Sequence, residues 1–141
     1  MANVPDGFSV HTRSSAVTRP WEPIYANTGK GTFRLGLVIA DAHCNGRGFL
    51  HGGVIAALAD NAMGLTLGLA RGGGQPSGIV TTALALDYFG SGQVGQWLEI
   101  VPRLVNSGKS SGIVDAAILA DGSPIARANA TFRVVGKSPE V

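Results

Sequence analysis

The stretch Val54 to Ala70, VIAALADNAMGLTLGLA, constrains this chain more than any other. It is rich in Ala, Leu and Met and contains no proline, a composition that favours a helix of roughly 26 Å at about 1.5 Å per residue. Because it is apolar on nearly every face, the rest of the protein is expected to enclose it. Asp60 and Asn61 interrupt its middle, and it is shorter than the roughly 20 apolar residues that cross a bilayer, so no membrane span is expected.

Around this helix the chain divides at glycines, which number 21 in 141 residues and follow no fixed period. Thr32 to Ala40, rich in Phe, Leu, Val and Ile, predicts a strand. After a break at Gly72 to Gly74, four more strands are indicated at Ile79 to Phe89, Gln96 to Val105, Ser110 to Ala120 and Ile125 to Val135. In the last of these, Arg127, Asn129, Thr131 and Arg133 alternate with Ala126, Ala128, Ala130 and Phe132, the period of two of a sheet with one buried face. Asp121-Gly122 is a preferred hairpin turn. One long helix with hairpin-linked strands describes an α+β fold, an antiparallel sheet of five to six strands curled around the helix. No linker separates two units, so residues 1–141 read as one domain with residues 1–31 as a loosely attached N-terminal arm.

Composition limits the partners. Hydrophobic residues make up 45% and charged residues 14%, which excludes wholesale disorder. A net charge of +2 leaves no nucleic-acid footprint. A chain of this size leaves much of its extended surface uncovered, and self-association would cover more of it. The single cysteine, Cys44, excludes an internal disulfide. Met1 to Pro20 lacks the apolar run of a signal peptide, so a reducing, cytoplasmic location is expected.

The chemistry is sought near the helix, where the carboxylate of Asp60 in an apolar segment needs something to stabilise its charge or its proton. Burial would poise it as a general base, whereas exposure at a subunit boundary would leave it an ordinary acid. Ahead of the helix, Asn45-Gly46-Arg47-Gly48-Phe49-Leu50-His51-Gly52-Gly53 sets glycines beside the free amide donors of the first turn. The segment reads either as an oxyanion site or as a glycine-rich turn with His51 capping or packing. It matches neither GxxxxGK[ST] nor GxGxxG. His51 and Asp60 lie about two and a half turns apart, on opposite faces if both are helical, which disfavours a shared metal. His43 and Cys44 have no third ligand at convincing spacing, so no metal is expected. Cys44 is read as a small buried hydrophobe, with nucleophilic action beside His43 or His51 the less favoured alternative.

Asn45-x-x-Gly48-x-x-His51-Gly52-Gly53 followed by Ala57-Leu58-Ala59-Asp60 resembles the hotdog-fold thioesterases of the phenylacetic-acid-degradation type, relatives of 4-hydroxybenzoyl-CoA thioesterase. The resemblance continues through Val80 to Tyr88, Gly95 to Leu98 and Asn106 to Lys109, and covers roughly residues 33–135. It implies a helix wrapped by an antiparallel sheet, chains that pair their sheets edge to edge into homodimers, dimers that associate into homotetramers, and active sites at the dimer interface.

The resemblance also implies roles. Asp60 is expected to act as general base toward water, or less commonly as a nucleophile forming a mixed anhydride. The Gly52 amide would stabilise the oxyanion, Asn45 would polarise the carbonyl or place the water, His51 would hold the loop or touch the thioester, and Thr81 would orient the water or Asp60. A thioester carbonyl is electrophilic and its thiolate leaves readily, so a base and an oxyanion hole suffice. No cofactor is expected, coenzyme A being part of the substrate. Among the basic residues Arg47, Arg71, Arg103, Lys109 and Arg133, the leading candidates for its phosphates are Arg103 and Lys109, with Arg47 beside them. For the acyl group, Ala56, Ala57 and Ala59 with Met63 and Leu65 would leave a compact apolar pocket, and Phe89 with Trp97 an aromatic one. The alternatives are a noncatalytic hotdog protein that binds acyl-CoA or a small ligand, and a hotdog acyl-thioester dehydratase or hydratase.

Overall fold

The computed structural model describes residues 3–72 and 77–137. In chain order the main elements are β1 (Ser9–Val10), β2 (Tyr25–Asn27), β3 (Arg34–Val38), α1 (Gly52–Ala70), β4 (Ser77–Tyr88), β5 (Trp97–Ser107), β6 (Ser111–Ala120) and β7 (Ser123–Lys137). The strands form one seven-stranded antiparallel sheet in the order β1-β2-β3-β5-β6-β7-β4.

The five strands expected from alternation and turn signals are all present. The two further strands come from the N-terminal arm, whose segments are too short to show a period. They are held by packing. On one face of the sheet Trp97 meets Phe8 edge-on with ring centroids 5.1 Å apart, Tyr25 lies 6.0 Å from Trp97, and Arg34 sits over Phe8. Gly36 of β3 makes room for this cluster, since a Cβ there would lie 2.2 Å from the Trp97 ring. The arm is therefore an edge of the sheet rather than a loose attachment.

β6 and β7 are joined by Asp121-Gly122, with φ of 47° and 81°, the pair of left-handed conformations a two-residue hairpin requires. The glycine break at 72–74 lies mostly outside the described residues.

In α1 the buried side chains are Val54, Ile55, Leu58, Ala59, Ala62, Met63, Thr66 and Leu67, a single stripe repeating every four residues. The stripe packs on Leu98, Ile100, Val114, Ile118 and Phe132, with Ala126, Ala128 and Ala130 of β7 leaving space for the helix to lie close to the sheet. Leu58, Met63 and Leu67 are fully buried, and each stabilises the packing by roughly 1.5–3 kcal/mol relative to exposure. Thr66, also fully buried, accepts a 2.9 Å hydrogen bond from the Phe33 N–H through Oγ1 and so ties the helix to the start of β3. Length and composition alone would let α1 cross a membrane, but its buried stripe is part of this core.

The expected enclosure of α1 is only half supplied by its own chain. The opposite face, carrying Ala56, Ala57, Asp60, Asn61, Gly64 and Leu65, is half-exposed. Apolar composition registers burial but not whether the covering surface belongs to the same chain.

Candidate active site

The first turn of α1 leaves one amide free. Of its four leading N–H groups, Gly53 donates to His51 Nδ1 at 2.8 Å, and Val54 and Ile55 donate to the His51 carbonyl at 3.1 and 3.2 Å. The Gly52 N–H has no hydrogen-bond partner among the described residues. His51 is thus the N-cap, and its neutral ring carries the proton on Nε2 because Nδ1 accepts. Rings crowd both glycines. A Cβ on Gly53 would lie 3.0 Å from the His51 imidazole, and one on Gly52 would lie 3.3 Å from the Tyr88 ring.

The loop before the helix is held by Asn45. Its Oδ1 accepts from the Arg47 and Phe49 amides at 2.9 and 3.2 Å, and its backbone N–H donates to the Phe49 carbonyl. With Oδ1 committed, the side-chain NH2 is the end left for a ligand. His43 is buried beneath this loop, its Nδ1 accepting from Ala40 N–H and its Nε2 facing the Trp21 carbonyl, which ties the N-terminal arm to the loop. Cys44 is half-buried rather than fully buried, and burial pushes its thiol pKa up, with Asp41 adding to the effect, away from nucleophilic use.

Asn45, Arg47, Phe49, Leu50, Gly52, Ile55, Tyr88, Gly90 and Ser91 line a cleft of about 390 Å³. Its aromatic walls are Phe49 and Tyr88, in place of the expected Phe89 and Trp97. Trp97 is buried against Phe8, and Phe89 does not line the cleft. The reason is a bulge in β4. Thr81 pairs with Phe132 and Ala83 with Thr131, so Thr82 is an extra residue and the alternation shifts by one. Thr81, Leu84, Leu86 and Tyr88 therefore share the helix-facing side, whereas strict alternation from Thr81 would have placed Phe89 there. Of the residues expected to form an apolar pocket, Ala59 and Met63 are spent in the core.

Asp60 lies farther along α1, half-exposed, and the Thr81 hydroxyl donates to its Oδ1 at 2.6 Å. Eight residues separate it from Gly52, about 12 Å along the helix at 1.5 Å per residue. One chain therefore forms two groups, Asn45 with Gly52 and His51 at the helix start, and Asp60 with Thr81 two turns on. No single carbonyl group could contact both.

The basic residues divide similarly. Arg47 is on the cleft, over Phe49 at 5.8 Å. Arg103 is on the sheet and pairs with Asp115 at 3.0 Å. Lys109 is exposed at the β5–β6 turn. Arg71 caps the end of α1 and donates to the Gly108 and Lys109 carbonyls, which occupies its guanidinium.

With the fold and these groups in view, the model of the thioesterase superfamily matches residues 47–126, a span that includes the cap, Asp60 and Thr81. The chain belongs to the thioesterase superfamily. A Pseudomonas aeruginosa protein, provisionally named an esterase, is 32% identical over 135 residues, covering 95% of this chain and 99% of its own length. A Streptococcus mutans protein solved with acetyl-CoA is 25% identical, with a TM-score of 0.69 over 98% of this chain and 96% of its own. The PaaI protein of the Escherichia coli phenylacetic acid degradation operon is 22% identical, with a TM-score of 0.68 over 77% of this chain and 75% of its own, and shares the fold. The superfamily makes this chain a thioester hydrolase, and the single helix against an antiparallel sheet is the hotdog arrangement.

Proposed function

We propose that the chain is an acyl-CoA thioesterase in which Asp60 activates water and the Gly52 N–H receives the oxyanion. The observation that carries this reading is the solitary free amide of Gly52 on the cleft, the other three donors of the turn being occupied. Asp60 takes a proton from water as the oxygen adds to the thioester carbonyl. The negative charge on the carbonyl oxygen is met by the Gly52 N–H and the Asn45 NH2 group. The C–S bond then breaks, coenzyme A departs as thiolate, and the proton held by Asp60 passes to it or to solvent. Thr81 orients the Asp60 carboxylate, and His51 holds the turn by its cap. Support for acyl-CoA comes from the S. mutans protein, which was solved with acetyl-CoA.

The 12 Å between Gly52 and Asp60 supports a site shared by two chains, in which Asp60 of one protomer works with the helix start of its partner. β4 is the long free edge of the sheet among the described residues, and its helix-facing residues are uncovered, Leu84 at 39% and Tyr88 at 49% exposure. Pairing of two β4 edges into a homodimer would cover them and the open face of α1. Association of dimers into a tetramer, with Arg47, Arg103 and Lys109 as phosphate donors at the rim, completes the proposal; the cytoplasm is its location.

Thiol release from acetyl- to decanoyl-CoA and from benzoyl- and phenylacetyl-CoA tests the reading. Turnover of one acyl class, lowered about 10² or more in Asp60→Asn, is expected for loss of a general base. Full turnover in a folded Asp60→Asn protein, or no release from any of these thioesters, would reject it.

A further inference from the structure

Tyr88 touches the one peptide group of α1 that stands next to the free amide. Its hydroxyl donates to the Gly52 carbonyl at 2.7 Å, and its ring lies so close to Gly52 that a Cβ there would crowd it at 3.3 Å. The N–H of that same peptide, on Gly53, donates to His51 Nδ1. The peptide between Gly52 and Gly53 is therefore gripped at both ends, by a strand residue on the carbonyl side and by the cap on the amide side. No other side chain from the sheet is hydrogen-bonded to the first turn among the described residues. The Thr82 bulge is what turns Tyr88 toward the helix.

We infer that Tyr88 is a positioning residue for the oxyanion donor, fixing the Gly52–Gly53 peptide so that the adjacent Gly52 N–H keeps its direction into the cleft. Without the grip, the turn has two glycines in succession, the residues with the greatest backbone freedom. A free amide that wanders loses alignment with a developing charge, and preorganised alignment is what makes such a donor effective. Burial pushes the Tyr88 phenol above its ordinary value of 10.0, which keeps the hydroxyl protonated and donating across the neutral range. The inference rests on the Gly52 N–H serving as the oxyanion donor.

Tyr88→Phe removes the hydroxyl and keeps the ring. With the acyl-CoA that is turned over fastest, kcat is expected to fall about tenfold with KM within about twofold, a smaller loss than the 10²–10³ for removing an oxyanion donor outright. The 13C resonance of the Gly52 carbonyl is expected to move upfield in the variant, as it does when a carbonyl loses a hydrogen bond. Tyr88→Leu, which also removes the cleft wall, should raise KM as well. A wild-type kcat in Tyr88→Phe, an unmoved Gly52 carbonyl resonance, or a kcat loss matched by a rise in KM would overturn the inference. If Tyr88→Phe is fully active while Asp60→Asn is inactive, the inference alone fails. If Asp60→Asn is fully active, the reading of the site fails, and the carbonyl resonance still decides whether Tyr88 grips the peptide.

Discussion

Thr81 is a small residue with one clear attachment, its hydroxyl on Asp60 Oδ1 at 2.6 Å. On a half-exposed face of a helix a carboxylate is otherwise free to rotate, and a general base must present one oxygen to the water it deprotonates. Thr81→Val keeps the shape and removes the donor, so kcat is expected to fall about tenfold while Thr81→Ser restores most of it. Steady-state kinetics of the two variants checks this, and full activity in Thr81→Val with a loss in Thr81→Ser would mean that shape rather than the hydrogen bond matters. Asn45 and His51 are held in a comparably fixed geometry. Each spends one polar atom on the local backbone, Oδ1 in one and Nδ1 in the other, and keeps a donor outward.

Among the elements, the arm carries a histidine whose ionisation is coupled to its packing. His11 packs edge-on to Phe33 with centroids 5.4 Å apart, and its backbone N–H donates to the Ile24 carbonyl. Burial first, then Arg13, pushes its imidazole below the ordinary 6.5, against an opposing pull from Glu22. The folded arm therefore favours the neutral ring. As pH falls below about 6.5 the unfolded arm takes up the proton first, so unfolding binds protons and stability declines; above that value both states are neutral and His11 contributes nothing. The protection factor against hydrogen exchange at β1 is expected to fall between about pH 7 and about pH 5, once the slower intrinsic exchange at lower pH is divided out, and His11→Gln should flatten that dependence. An equally steep dependence in His11→Gln would assign the effect to another group.

The whole molecule presents two different sheet edges. On one side β1 and β2 cover β3; on the other β4, paired with β7 along its inner side, has no strand on its outer side among the described residues. An uncovered edge of twelve residues with apolar side chains is a template for pairing, and the arm leaves β4 as the long edge open to it. Leu84→Lys places a charge on that edge twice over in a symmetric pair. The variant is expected to sediment as a monomer with unchanged far-UV circular dichroism and to lose thioesterase activity, since Asp60 and Gly52 of one chain are too far apart to share a carbonyl. A fully active monomer would reject the shared site. On the outer face of the sheet, the pairs Arg103–Asp115 and Arg127–Asp87 run across neighbouring strands and are exposed, so they contribute little to stability.

The sequence by itself determined the central helix, its lone carboxylate, the five long strands and the hairpin at Asp121-Gly122, because each is written in local composition, alternation or turn chemistry. Through spacing that resembles a family it also marked Asn45, His51, Gly52 and Asp60, of which the structure gathers the first three at the helix start and leaves Asp60 with Thr81 two turns on. It did not determine the two strands of the arm, since segments of two and three residues have no period and are held by Trp97, Phe8 and Tyr25 from distant parts of the chain. Nor did it determine which aromatic ring faces the helix. Alternation reads forward at a fixed step, and only pairing with β7 shows that Thr82 takes an extra place and that Tyr88, not Phe89, turns inward. That α1 keeps an open face was likewise beyond the sequence, because an apolar side chain has the same composition whether or not its own chain covers it.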